Sequence, residues 1–176
     1  MKKNLIAVPV LYGSAASLLL MLLFVVMFYN GRHPMSIPVF MDIRLIILPL
    51  FIVIAMKDFR DLKNGRTLHF WQGFSIGFIT FVLIGVLMSL FIITFVAVDA
   101  DFLQFYVDER VSLLTEHRLQ LAETINDQTI QDQLDKLPLT TSFDLAIDYF
   151  FKTLGIGLFL NIIISILLRK QQPNTN

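Results

Sequence analysis

The sequence predicts an all-α membrane protein: four transmembrane helices, with an extracytoplasmic helical segment between the third and the fourth. Three observations carry this. The 176 residues contain four long apolar runs. Only 16% of residues are charged against 56% hydrophobic, whereas a soluble domain runs near a quarter charged and needs that charge to coat its surface. The charges that remain are sorted between alternate loops, although 14 Lys and Arg balance 14 Asp and Glu overall.

A helix rises 1.5 Å per residue and the hydrocarbon core is ~30 Å thick, so a span needs ~20 mainly apolar residues. The first span covers about residues 5–29, with no charge between Leu5 and Tyr29. Lys2 and Lys3 precede it as they would a signal peptide. Apolar residues continue past the small cluster Gly13-Ser14-Ala15-Ala16-Ser17 to Phe28, well beyond the ~7–15 residues of a cleaved segment, so the run is read as a retained span. Pro9 suits a first helical turn, where its missing N–H costs least. The second span covers about residues 37–56, interrupted by Asp42 and Arg44, and Pro49 is a candidate kink. The third covers about 71–98, with Gln72 at its edge and Trp71 as an interface anchor. The fourth covers about 146–168, with Lys152 near its start.

The loop at 57–70 is short and basic and turns at Asn64-Gly65. Between the third and fourth spans lies the segment 99–143, where Leu103, Tyr106, Val107, Leu114, Leu121 and Ile125 recur at helical spacing. The third helix is therefore expected to run on out of the membrane as a partly amphipathic helix. Asn126-Asp127 interrupts it, a short helix marked by Ile130, Leu134 and Leu137 follows, and Pro138 closes that helix. Thr141-Ser142-Phe143-Asp144 reads as a capping box for the fourth span. The tail, 169–176, follows Arg169-Lys170.

Lys and Arg mark the cytoplasmic side of short loops. One set of ends carries eight cations against Asp58 and Asp61, and the other carries six cations against twelve acids. Both termini are therefore expected in the cytoplasm. Lys57, Arg60, Lys63 and Arg66 would face the lipid headgroups, each worth ~1 kcal/mol against an anionic leaflet.

The remaining charges sit too deep for comfort. Asp42, Arg44, Asp148 and Lys152 form a candidate intramembrane polar cluster, since an unpaired charge in the core costs ~2.5–3.5 kcal/mol or more. Snorkelling and pairing would satisfy them as structural glue, and a second span that starts late would leave Asp42 among the headgroups. Gly73 and Gly77 form a GxxxG in the third span. With Gly155, Gly157 and Asn161 in the fourth, they are candidate helix-packing positions. No cysteine is present, which removes disulfides, thiolate ligands and thiol nucleophiles. His33, His69 and His117 lie in three separate segments, and no metal, P-loop, dinucleotide or nucleophile-elbow motif occurs. No catalytic residue, cofactor or metal is expected.

Several short motifs resemble a bacterial membrane family, the domain of unknown function 4199: Lys57-Asp58-Phe59-Arg60, the turn at Gly65, Phe70 to Gly77, Asp101-Phe102-x-x-x-Tyr106 and the terminal Arg169-Lys170. The resemblance implies a four-span inner-membrane protein with an outer helical segment between the last two spans. It implies no activity, cofactor or catalytic residue. The expected function is a non-enzymatic accessory or scaffold that contacts membrane lipids, assembles with itself or a membrane-protein partner, and binds no nucleic acid. The alternative is a small homo-oligomeric transporter or channel with the four charges as an outward-facing vestibule.

Overall fold

The computed structural model describes residues 2–38, 41–99, 101–116 and 126–170. All the regular structure among them is helical. α1 spans Lys2–Tyr29, and α2 spans Arg44–Asp58 and continues into a π-helical turn, Phe59–Lys63. α3 spans Phe70–Val98, α4 Asp101–Glu116, α5 Asp127–Lys136 and α6 Ser142–Leu168. A 3₁₀ turn, Leu137–Leu139, carries Pro138 between α5 and α6.

Among the described residues, three helices are long and apolar enough to cross a membrane: Leu5–Tyr29, Phe70–Val98 and Ser142–Leu168. Pro9 lies inside α1 rather than in its first turn. The stretch expected as the second span, 37–56, is divided. None of its described residues before Arg44 is α-helical, and α2 begins only at Arg44. Fifteen α-helical residues reach about 22 Å. The late start has a local cause. Pro34 and Pro38 lack the N–H a helix would use, and the Asp42 carboxylate takes the Arg44 N–H at 2.8 Å. Such a bond begins a helix instead of continuing one.

α3 is the central element, packed along α6 on one side and α1 on the other, while α2 lies between α1 and α6 and also touches α3. Leu20 and Phe24 of α1, Leu48, Ile52 and Met56 of α2, and Ile84, Met88 and Ile92 of α3 meet in the core. Large apolar side chains also point outward, among them Leu18, Leu22, Leu90 and Phe159, as expected of helices solvated by lipid.

Close helix approach depends on small residues. A Cβ at Gly77 would land on the Asn161 side-chain oxygen Oδ1, and one at Gly157 would stand 2.5 Å from Phe81 Cγ. Asn161 Nδ2 donates to the Phe74 carbonyl at 2.9 Å, and Ser165 Oγ donates to Asn161 Oδ1 at 3.3 Å. Gly73 lies in ordinary contact with Met56 and Ser165. Gly155 differs, because a Cβ there would meet nothing within 4 Å.

At the basic end, Leu68 and Lys170 exchange backbone hydrogen bonds of 2.8 and 2.9 Å, tying the 57–70 loop to the end of α6. At the acidic end, α3 does not run on as the periodicity predicts. Asp99 is extended (φ −121°, ψ 95°), and its carboxylate accepts from Asp101 N at 3.2 Å and from Tyr29 Oη at 3.3 Å. The break turns α4 back over the bundle. Phe102 is thereby fully buried, stacked on Phe24 and edge-on to Phe95. Leu103, Tyr106, Val107 and Leu114 lie on α4, whereas His117, Arg118, Leu121 and Ile125 fall outside the described residues. The capping box forms as the sequence predicts. Thr141 N donates to Asp144 Oδ2 at 2.8 Å, and Asp144 N to Thr141 Oγ1 at 3.3 Å.

Candidate functional site

A helix start buried among neighbours must satisfy four N–H groups. α2 does so within its own turn. Arg44 N is taken by Asp42 Oδ1, Leu45 N by the Asp42 carbonyl, and Ile46 N and Ile47 N by the Ile43 carbonyl, at 3.0 Å each. The Arg44 side chain then reaches from this turn to α6. Its Nε donates to Asp42 Oδ2 at 2.7 Å, and a second guanidinium nitrogen also pairs with that oxygen. The third nitrogen donates to the Tyr149 carbonyl at 3.2 Å and to Thr153 Oγ1 at 3.0 Å. The guanidinium carbon lies 4.2 Å from the centre of the Tyr149 ring, a favourable cation–π distance. Arg44 and Asp42 are 5% and 9% exposed, so this is a buried, hydrogen-bonded pair. Beside it, between Leu20, Phe24, Pro34 and Tyr149, a cavity of about 20 Å³ remains, which is room for one water molecule.

Of the four expected charges, Arg44 pairs with Asp42 and Lys152 with Asp148, and the Asp148 carboxylate also acts on the Arg44 guanidinium through space. Lys152 Nζ meets Asp148 Oδ2 at 2.6 Å one turn apart on α6, with side chains 37% and 41% exposed. Arg44 reaches past them to Tyr149 and Thr153, two residues the sequence did not single out. Their signal was available as i, i+4 spacing about 100° round the helix from the ion pair, but nothing in the sequence shows which α6 face meets α2. Of the basic loop, Arg60 is paired with Asp61 at 2.7 Å. Lys57 closes α2 and Lys63 closes the π-helical turn, and Arg66 takes a left-handed conformation after Gly65.

The residues that carried the family resemblance occupy constrained positions. Phe59 and Phe102 are fully buried, Gly65 turns with φ +59°, and Gly77 admits Asn161. The model of the family described as "Protein of unknown function (DUF4199)" matches residues 11–170. The chain belongs to the DUF4199 family. No curated protein and no solved structure matches it.

One further buried polar residue in this DUF4199 chain is a histidine that has no metal-ligand spacing to mark it in the sequence. His33, in the loop after α1, is 1% exposed. Its ring packs 4.3 Å from Phe102 and 5.1 Å from Tyr106, centroid to centroid. Nδ1 accepts from Met35 N at 3.2 Å, and Nε2 is buried without a hydrogen bond. Burial pulls its pKa down from the ordinary 6.5 to about 4, outweighing the opposing pull of the Phe102 backbone. The folded ring is therefore neutral where a released ring would take a proton. Packing of α4 on this loop is at full strength above pH 6.5, weakens as pH falls from 6.5 towards 4, and levels off below. The loss reaches about 3 kcal/mol at 1.36 kcal/mol per pH unit. His33→Asn keeps an acceptor for Met35 N and cannot titrate, so its unfolding midpoint should lose the slope between pH 4 and 6.5. An unchanged slope would assign the acid sensitivity to another group.

Proposed function

We propose that this is a multi-pass protein of the bacterial inner membrane with four spans and both termini in the cytoplasm. α2 counts as the fourth span. Irregular backbone is tolerated at membrane depth only where protein shields it, and the Asp42–Arg44 turn, lodged against Tyr149 and Thr153 of α6, supplies such a shield. The sorting of charge supports the orientation. Lys57, Lys63, Arg66 and Lys170 gather at one end of the bundle, and α4 and α5, with Asp101, Asp108, Asp132 and Asp135, gather at the other.

Within that membrane the chain acts as a non-enzymatic accessory or scaffold, assembling with itself or with a membrane-protein partner. The observation that carries this is the state of Arg44. Its guanidinium is committed to Asp42, Tyr149 and Thr153, and the space beside it admits one water. A vestibule for a solute would need charged groups turned toward an open space. Lipids are the remaining contacts, and no cofactor takes part.

Two measurements test this. The mass of the complex in native lipid should exceed that of a lone 20.2 kDa chain, and a single-chain mass would refute it. In a reconstituted vesicle, Asp42→Asn with Arg44→Gln should leave solute and ion flux as it was, and a change in flux would favour the transporter reading instead.

A further inference from the structure

α4 and α5 touch each other and the 3₁₀ turn at the acidic end of the bundle. Four acids lie on α4 and three on α5, but each helix has a single cation, Arg110 and Lys136. The fold brings these two to the same place. Both line one hollow of about 170 Å³, together with Leu114 of α4, Gln133 of α5, Leu137 and Thr140.

Like charges gathered at one hollow repel each other unless something of opposite sign stands between them. Among the described residues neither cation is ion-paired with a carboxylate. The nearby acids are occupied on their own helices. Asp108 accepts from Gln104 Nε2 at 2.8 Å, and Asp135 accepts from Gln131 Nε2 at 3.2 Å. The Arg110 guanidinium carbon lies 6.0 Å from the centre of the Tyr106 ring, which holds it in place without neutralising it. The next hollow along α4, beside Leu103, Val107 and Pro138, carries Asp108 and no cation, so the pairing of positive charges belongs to this hollow in particular.

We propose that the hollow between α4 and α5 binds a phosphate group. Its size sets the scale of the occupant. Drug-sized ligands fill ~300–1,000 Å³, whereas 170 Å³ is the share of about five or six water molecules. The lining sets the chemistry. Arg110 offers a planar fork and Lys136 a mobile point charge, the two side chains that most often hold phosphate. Gln133 and Thr140 add an amide and a hydroxyl donor. Donors on α4, on α5 and after the 3₁₀ turn suit a tetrahedral group with oxygens on every side better than a planar carboxylate. Leu114 and Leu137 leave an apolar wall for the carbon side of a phosphate ester. A soluble phosphate and a phospholipid headgroup present the same oxygens. The site is independent of the assembly reading above.

The test uses the full-length protein in maltoside micelles, which contain no phosphate. Equilibrium dialysis against labelled inorganic phosphate should show a saturable site. Arg110→Gln and Lys136→Gln should each weaken it by about tenfold, since each removes a charge-assisted contact, and the double variant should abolish it. Arg110→Lys should keep part of the binding, and Lys57→Gln with Lys63→Gln, at the basic end, should leave it unchanged. None of these side chains is buried, so helix content should be equal throughout. Labelled phosphatidylglycerol in the same micelles separates the sources. A headgroup site retains it on the parent chain but not on the double variant, and it displaces inorganic phosphate; a site for soluble phosphate does neither. Binding of neither probe, binding that the double variant keeps, or equal loss on changing Lys57 and Lys63 would overturn the site and leave the assembly reading standing.

Discussion

Replacing Arg44 by Met should destabilise the bundle by about 3–5 kcal/mol, the usual cost of removing one partner from a buried ion pair. The reason lies in what stays behind. Asp42 would keep its backbone bond to residue 44 but lose the guanidinium, leaving a carboxylate 9% exposed without a counter-charge. On α6, the Thr153 hydroxyl and the Tyr149 carbonyl would lose their cross-helix donor. Arg44→Lys should recover only part of the loss, because an ammonium cannot reach Asp42, Tyr149 and Thr153 together as a planar fork does. Asp42→Asn combined with Arg44→Gln removes both charges while keeping hydrogen-bonding groups, so the pair should cost less than the sum of its single changes. Denaturation in bicelles, followed by helix content, measures these three variants and the two single changes Asp42→Asn and Arg44→Gln. A loss below about 1 kcal/mol for Arg44→Met, the range of exposed pairs, would show that water reaches the pair.

The second large effect is expected at a residue without a side chain. Gly77→Ala should cost about 2–5 kcal/mol, from forcing an atom into a packed contact and from unpairing buried polar groups. The new Cβ would occupy the position of Asn161 Oδ1 and stand 3.1 Å from Met56 Cε. Asn161 is fully buried, so it cannot swing aside without giving up its bonds to Phe74 and Ser165. Gly155→Ala supplies the matched control. It adds the same methyl to a transmembrane helix where nothing lies within 4 Å, so in detergent it should be neutral or slightly stabilising. Equal losses at both positions would mean that α3 and α6 do not approach at Gly77 as described.

These two predictions also separate what could be read from the chain alone from what could not. The sequence by itself determined the helical class, the apolar lengths of α1, α3 and α6, the capping box at Thr141 and Asp144, the sorting of charge to two ends, and membership-bearing motifs such as Phe59, Gly77 and Phe102. Each of these depends on residues close together in the chain, where hydropathy, turn chemistry and 3.6-residue periodicity act directly. Only the tertiary structure decided how the deep charges pair. Arg44 and Thr153 are 109 residues apart, and which face of α6 turns toward α2 depends on how whole helices pack. The same holds for the glycines. Gly155 and Gly157 are alike in sequence, yet 200° apart around a helix at 100° per residue, one touching Phe81 and the other nothing. His33 became legible only once the break at Asp99 folded α4 back over it. Local chemistry can start or stop a helix, but burial is set by which surfaces meet, and those meetings span the whole chain.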